Sequence, residues 1–335
     1  MQVFLSSQDK VKFSRYYRDL LNASDDISSL HSISTLDYYS ITCNSKFGTF
    51  NDYSFVILKD NTPVFAFICA FWHHENESYF GYGDCPCFII EHSHLSNSAI
   101  YRHAVKEIKK HIPAKLTNVN ILLNGPFVGI SRFWPQFFST FSIDLNSFTE
   151  FTRVINLSSS HEYLWQSVRK SYRPLINWGL KSMDIQIHDN SSITHTIFEE
   201  FKLLHIHCSK RQTRSDTSWY AQYKSILSDE AFLVSATYQG SYIGFAYFTY
   251  NSSHCYYASA AYDRDLFDYP IAHSILWRAI MRMKELGISY FEIGTDYPVW
   301  LNSSFQSTPQ KLRNISLFKS GFGGSLIPIV KIANY

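Results

Sequence analysis

The sequence predicts an α/β chain built from two copies of one unit, each a mixed sheet flanked by helices. Three observations lead there. One order of elements (β-hairpin, strand, helix, strand) is written twice along the 335 residues, a length suited to about two domains. In each copy the helix is followed by a short apolar strand, which is half of a crossover unit. The hydrophobic share is 45% and the charged share 17%, so a large core is available and disorder is not expected.

The first copy opens on a polar, tyrosine-rich stretch of about 50 residues with a helix expected over Gln8–Leu21. Lys10, Lys12 and Arg15 lie near one another on that helix and could touch an anion, but a solvated face is the plainer reading. Tyr53–Leu58 and Val64–Phe71 flank the turn Lys59–Asp60–Asn61–Thr62–Pro63, a hairpin signal. Tyr79–Tyr82 is expected as the third strand, Ser98–His111 as the helix, stopped by Pro113, and Val119–Leu123 as the closing strand.

The boundary between copies is expected at a strand, Arg153–Leu157, followed by serines that cap a helix from about Glu162. This gives domains 1–152 and 153–335. Pro174 lies inside the helical run Tyr163–Leu180 and is expected to kink or split it. Phe198–Lys210 reads as a further helix. The second copy then runs Ala231–Thr237, the turn Tyr238–Gln239–Gly240–Ser241, Tyr242–Tyr250 and Cys255–Ala261. Pro270 suits the first turn of the next helix, and Ile271, Ile275, Leu276, Ala279, Ile280 and Met283 give it an apolar face. Gly287 stops it, and Tyr290–Gly294 is a short buried strand.

Several function classes are disfavoured. A formal charge of +2 argues against broad nucleic-acid binding, so no DNA partner is expected. The first ten residues do not read as a signal peptide, and the longest apolar stretch, near Val64–Phe71, is too short to cross a bilayer. The six cysteines show no disulfide framework, and the expected compartment is the cytoplasm. Cys85–Pro86–Cys87 with His92 and His94 has zinc-ligand types, but its spacing is tighter than the usual knuckle and no metal is expected. There is no G-x-S-x-G elbow, phosphate loop or dinucleotide fingerprint. The 23 tyrosines and 27 phenylalanines are expected mainly in the core.

Two basic clusters stand out: Arg169, Lys170, Arg173 and Lys181, then Lys202, Lys210, Arg211 and Arg214. Arg169 and Arg173 are four apart, and paired guanidinium forks suit a diphosphate or tRNA backbone, although a solvated surface accounts for them equally well. Lys319 lies beside Phe318, Phe322, Gly321, Gly323 and Gly324. The plain reading is a surface lysine on a loop. The other is a shielded cation of the kind acyl transfer needs where a carbonyl oxygen becomes negative.

Pro270, Trp277, Gly287 and Phe291–Glu292–Ile293–Gly294, followed by Phe318–Lys319–Ser320–Gly321–Phe322–Gly323–Gly324, resemble the C-terminal signature of the FemABX-like transferases. These are the peptidoglycan-bridge aminoacyltransferases and their relatives in the GNAT superfamily. Arg153–Ser158 and Leu164–Ile176 resemble that family's strand, serine cap and basic helix, so the likeness covers about residues 150–335. It implies two tandem GNAT-like domains facing each other across a cleft. It implies an acyl- or aminoacyltransferase that forms an amide on an amine of a cell-envelope precursor, an amino sugar or peptide on a nucleotide or lipid carrier. Phe318 and Lys319 take the positions of the family's oxyanion-stabilising pair, and Arg169, Lys170, Arg173 and Arg211 become phosphate-binding candidates. Tyr257 and Asp296, near strand ends, are substrate-contact candidates, with Asp296 accepting a hydrogen bond from the amine.

No bound cofactor is expected; the donor is a co-substrate, aminoacyl-tRNA or acyl-CoA. The long helical hairpin that some members use for tRNA is missing. So is the glycine loop of ordinary GNAT enzymes: Asp263–Pro270 has no glycine and three aspartates, which disfavours a CoA diphosphate there. Acyl-CoA-dependent acylation of a nucleotide sugar and a non-catalytic glycan-precursor binding module are the other readings.

Overall fold

The protein is described by a computed structural model covering all residues except 25–26, 48–49, 75–76, 83–84, 93, 113–114, 117, 127–128, 144–146, 299–308 and 334–335. Two units separate. The first takes Met1–Ile27, His31–Thr149 and Ile329–Tyr335; the second takes Ser28–Leu30 and Glu150–Pro328. The described elements of the first begin with β1 (Gln2–Leu5), α1 (Lys10–Asn22), α2 (Ile33–Phe47), β2 (Phe50–Asp52), β3 (Phe55–Lys59) and β4 (Thr62–Ile68). They continue with β5 (Ala70–His74), β6 (Glu77–Phe80), β7 (Phe88–Glu91), α3 (Ser98–Ile108), β8 (Lys115–Leu116), β9 (Asn120–Leu122), α4 (Phe133–Phe138) and β10 (Ser142–Ile143). Then follow β11 (Ser147–Asn156), α5 (His161–Ser167), α6 (Tyr172–Ser182), β12 (Asp184–His188), α7 (His195–Ser209) and α8 (Asp216–Leu227). The chain closes with β13 (Ala231–Tyr238), β14 (Ser241–Tyr250), β15 (His254–Tyr262), α9 (Ile271–Glu285), β16 (Tyr290–Asp296), α10 (Gln310–Ser320) and β17 (Ser325–Ala333).

Both expected hairpins form, each on a two-residue turn. Asp60 and Asn61 have φ of 50° and 63°, and Gln239 and Gly240 have 50° and 83°. Two successive left-handed residues give a turn whose twist matches that of the strands it joins. The third strand of the first unit differs from expectation. Tyr79–Tyr82 contributes to β6, which pairs with β5 in a separate sheet. The hairpin's own neighbour is β7, whose Phe88 and Ile90 are buried; only four residues long, it gave little periodicity to read. A parallel bridge between Cys87 and Ile121 links the start of β7 to β9. The order β3-β4-β7-α3-β9 thus parallels β13-β14-β15-α9-β16, and the two units are tandem copies of one α/β design. Pro113, expected to stop α3, lies outside the described residues.

In the second unit the strand order is β12-β13-β14-β15-β16-β11-β17. One face of the β13–β14 hairpin, with Phe232, Val234, Ala246 and Phe248, is buried in a cluster with Ile275, Leu276, Ala279 and Met283 of α9. The alternate residues Leu233, Phe245 and Tyr247 cluster with Phe198 and Phe201 of α7 and Trp219 of α8. Period-two alternation therefore supplies a core on each side of the sheet. The break expected at Pro174 falls earlier. α5 ends at Ser167, and Pro174 sits in the first turn of α6, where a missing N–H costs no helical bond. Among the described residues, no helix is long and apolar enough to cross a membrane.

Candidate active site

β15 and β16 are parallel but pair over only three positions, from His254 opposite Tyr290 to Tyr256 opposite Glu292. Beyond Tyr256 the first strand continues to Tyr262 and the second to Asp296, and a cavity of about 1070 Å³ occupies the gap between them. Its walls include Tyr256–Tyr262, the first turn of α9 through Ile271–His273, Ile293, and Phe318 and Lys319 from the end of α10. The charged side chains among its described lining residues are Arg264, Lys311 and Lys319, all cations. Such a cavity favours a ligand with an apolar or aromatic body and an anionic end.

Lys319 is held within the last turn of α10, with its Nζ 2.8 Å from the carbonyl oxygen of Thr295, to which it donates. Burial pushes its pKa down from 10.5 to about 8; Asp296 and Glu292 pull it back up, and Arg153 lowers it further. Gly294 lies beside the lysine in a backbone conformation that favours glycine. Its φ is +92°, and a β-carbon there would lie 3.5 Å from Lys319 Nζ and 3.3 Å from Tyr256 Oη. Gly321 is needed for a different reason: a β-carbon would fall 2.1 Å from the Tyr172 ring. Phe318 packs with Tyr172, His273 and Phe322 at ring separations of 6.1, 5.2 and 5.5 Å. This aromatic cluster fixes the end of α10 against α6 and α9.

Behind the lysine lies a buried polar layer. Arg153 Nε donates to Asp296 at 2.5 Å, and the same guanidinium donates to the carbonyls of Gly323 and Gly324 at 3.2 Å each. Glu292 accepts from Thr152 Oγ1 at 2.7 Å and from Ser28 Oγ at 3.3 Å.

Residues 166–300 match the acetyltransferase (GNAT) domain family. This part of the chain is thus similar to the GNAT acetyltransferases. Its fold is also that of FemX, with a TM-score of 0.69 at 12% identity over 98% of this chain and 97% of that one. The C-terminal DUF2156 domain of a putative lysylphosphatidylglycerol synthetase from Agrobacterium fabrum gives a TM-score of 0.60 at 10% identity, covering 97% and 92% of the two chains. L-PGS from Bacillus licheniformis gives 0.57 at 10%, covering 96% and 91%. No curated protein sequence gives a match. These likenesses bear out the fold class expected from the sequence, two tandem GNAT-like domains, and, as a likeness of fold, the FemABX-like resemblance.

The cavity brings together Lys319, Phe318 and Tyr257. Tyr257 Oη hydrogen-bonds Tyr262 Oη at 2.8 Å, and burial raises its pKa to about 12. The remaining sequence candidates lie off its described lining. Asp296 is 3% exposed and bound to Arg153, so its carboxylate already serves an ion pair. Arg169 stacks on Tyr172 at 4.9 Å and donates to Leu317 O and Ser320 Oγ, which ties α10 to the turn before α6. Arg173 donates to Val168 O at 3.1 Å and Gln166 O at 2.7 Å, closing the end of α5. These two arginines thus have structural bonds within the fold. Lys170 and Arg211 are exposed.

Lys319 itself sits on a helix, where a glycine-rich loop was expected. Sequence reasoning also passed over Tyr256, Arg153 and His273. Tyr256 adjoins the chosen Tyr257, and the glycine inside the strand Tyr290–Asp296 was a usable signal, since such a residue marks close approach of another group. His273 lines the cavity with a buried Nδ1 that has no hydrogen-bond partner among the described residues, and burial drops its pKa to about 4.

Proposed function

We propose that this acyltransferase is an aminoacyltransferase, moving an aminoacyl group from aminoacyl-tRNA to an amine on a cell-envelope precursor in the cytoplasm. The observation that carries this reading is the position of Lys319: a desolvated ammonium, tethered to Thr295 O, on the wall of the cavity between the parted strands. The donor ester enters that gap, with Arg264 and Lys311 favouring its phosphates. The acceptor nitrogen attacks the carbonyl carbon and forms the C–N bond while the carbonyl π electrons move onto oxygen. Lys319 stabilises that negative oxygen, and Phe318 holds the lysine's end of α10 in place. Collapse restores the carbonyl and breaks the ester C–O bond. The ribose oxygen leaves with the electron pair and takes up a proton; the amine loses one to solvent.

The loop Asp263–Pro270 before α9 supports tRNA over CoA as donor, because it lacks glycine and carries three aspartates where a diphosphate would meet the helix. The likeness in fold to FemX and to a domain of a putative lysylphosphatidylglycerol synthetase is compatible with an envelope acceptor. The test is intact-mass analysis of envelope precursors in cells with and without the protein, repeated in vitro with charged tRNA. A precursor heavier by one amino-acid residue is expected. A gain equal to a simple acyl group would move the donor to acyl-CoA. No mass change, with Lys319→Ala keeping cellular function, would leave a binding module.

A further inference from the structure

Cys69 and Cys87 are both fully buried and share one core cluster with Phe65, Phe67 and Ile121. β4 and β7 run antiparallel, with Phe67 opposite Ile89 and Ile68 opposite Phe88. The next step of that register sets Cys69 opposite Cys87. His92 N donates to Val64 O at 3.0 Å, which makes Val64 and His92 a hydrogen-bonded pair. Along an antiparallel ladder such pairs alternate with open ones that exchange no backbone bond. Cys69 lies an odd number of positions from Val64 and therefore falls at an open pair. Its N–H accordingly turns to Ser54 Oγ at 3.1 Å, and that of Cys87 to Asn120 O at 2.7 Å. Open pairs bring facing α-carbons to about 4.5 Å and hold their side chains closest. The Cys69 and Cys87 thiols are in hydrogen-bonding contact. Cys85 belongs to a different cluster, with Ala66, Ile68 and Phe88.

We propose that Cys69 and Cys87 form a latent disulfide, a covalent modification site of the first unit that a small-molecule disulfide closes and a thiol reopens. The spacing of an open pair lies at the short end of the roughly 4.4–6.8 Å that a disulfide bridges, so the bond closes without separating the strands, but under strain. Strained disulfides are the readily reduced ones. Such a link forms under oxidative load and does not persist where thiols are plentiful. In closing, one cysteine thiolate attacks a sulfur of the oxidant's disulfide and expels a thiolate. The second cysteine, once deprotonated, attacks the protein sulfur of that mixed disulfide and expels the other thiolate. The protein gives up two protons and two electrons, and the oxidant becomes two thiols. Burial pushes the Cys69 thiol up, and Cys87 beside it adds to the effect. Thiolate is therefore scarce while the strands are paired, and closure waits on local opening of the short strand β7.

The experiment incubates the folded full-length chain with excess cystamine, quenches it in acid, blocks the remaining thiols with N-ethylmaleimide in urea and maps the peptides by mass spectrometry. Cys69 and Cys87 should both escape blocking, in a linked peptide pair lighter by two hydrogens than the two free peptides. Treating the oxidised protein with glutathione should make both thiols blockable again. Cys87→Ala should abolish the link and leave Cys69 free or carrying one cysteamine. Should that variant misfold, the linked wild-type peptides decide alone. A link from Cys85 to Cys87 would overturn the proposal. So would free Cys69 and Cys87 in the folded protein under a treatment that oxidises both in urea. A Cys69–Cys87 link that glutathione leaves intact would overturn its reversibility and make it a structural bond.

Discussion

Lys319 Nζ donates to the carbonyl oxygen of Thr295 over 2.8 Å, tying the last turn of α10 to the open end of β16. That bond keeps one lysine at a fixed point on the cavity wall, away from bulk water. Fixing the charge there weakens its solvation and thereby strengthens its pull on a developing oxyanion.

The pH dependence follows from that burial. With a pKa lowered to about 8, Lys319 is mostly charged at pH 7 and loses its proton as pH rises through about 8. Transfer should therefore fall on an alkaline limb near pH 8, read from kcat against pH, and Lys319→Arg should move that limb beyond the accessible range. The stability sign is opposite. Between pH 8 and 10.5 the unfolded chain holds the proton that the folded chain has lost, so this residue makes folding more favourable as pH rises. Lys319→Met should consequently be no less stable than wild type at pH 7, in urea unfolding, while transfer drops at least about 10²-fold.

Arg153 and Asp296 form a buried pair with side-chain exposures of 12% and 3%. Arg153→Ala strands the carboxylate, and urea unfolding should show a loss of about 3–5 kcal/mol. Replacing both, as Arg153→Met with Asp296→Leu, should recover most of that loss, because no unpaired charge is left buried.

Gly321 has no room for a side chain beside Tyr172. Gly321→Ala should destabilise by about 1–3 kcal/mol, and adding Tyr172→Ala should relieve the clash itself. Thermal melts of the two variants would separate that relief from the lost aromatic packing. The same change should slow transfer, since Arg169 N donates to Gly321 O at 2.8 Å and the turn carries Lys319.

His205, His254 and His273 have pKa values pushed down to about 4, chiefly by burial. Below the unfolded value of 6.5 the unfolded chain binds protons that the folded chain excludes. Stability should decline as pH falls from about 6.5 toward 4, with up to three protons taken up on unfolding. Melting temperature measured from pH 7 to 5 checks this, and His254→Phe should flatten the slope, since His254 is the most buried of the three.

Elements with strong local signals were legible. The turns at Asp60–Asn61 and Gln239–Gly240, the apolar face of α9 and the glycine after it all reported structure through neighbouring residues. The basic helix shows the limit. Four-residue spacing put Arg169 and Arg173 on one face of a single run, yet the chain breaks between Ser167 and Tyr172 and each guanidinium finds carbonyl oxygens nearby. Spacing says which side chains are neighbours on a helix, but not where that helix starts.

By itself the sequence determined that two α/β units follow one another, and that Phe318, Lys319 and the glycines after them form an unusual cluster. Patterning of period 2 and 3.6 and left-handed turn residues act within a few positions of the chain, so they can be read there. Tertiary structure alone decided that Lys319 meets Thr295 O and Gly294, that Tyr256 stands beside it, and that Asp296 is already taken by Arg153. These contacts join residues 24 to 143 positions apart. They exist because β15 and β16 stop pairing after Tyr256 and α10 packs its end into the resulting gap, a consequence of sheet geometry that no local pattern encodes.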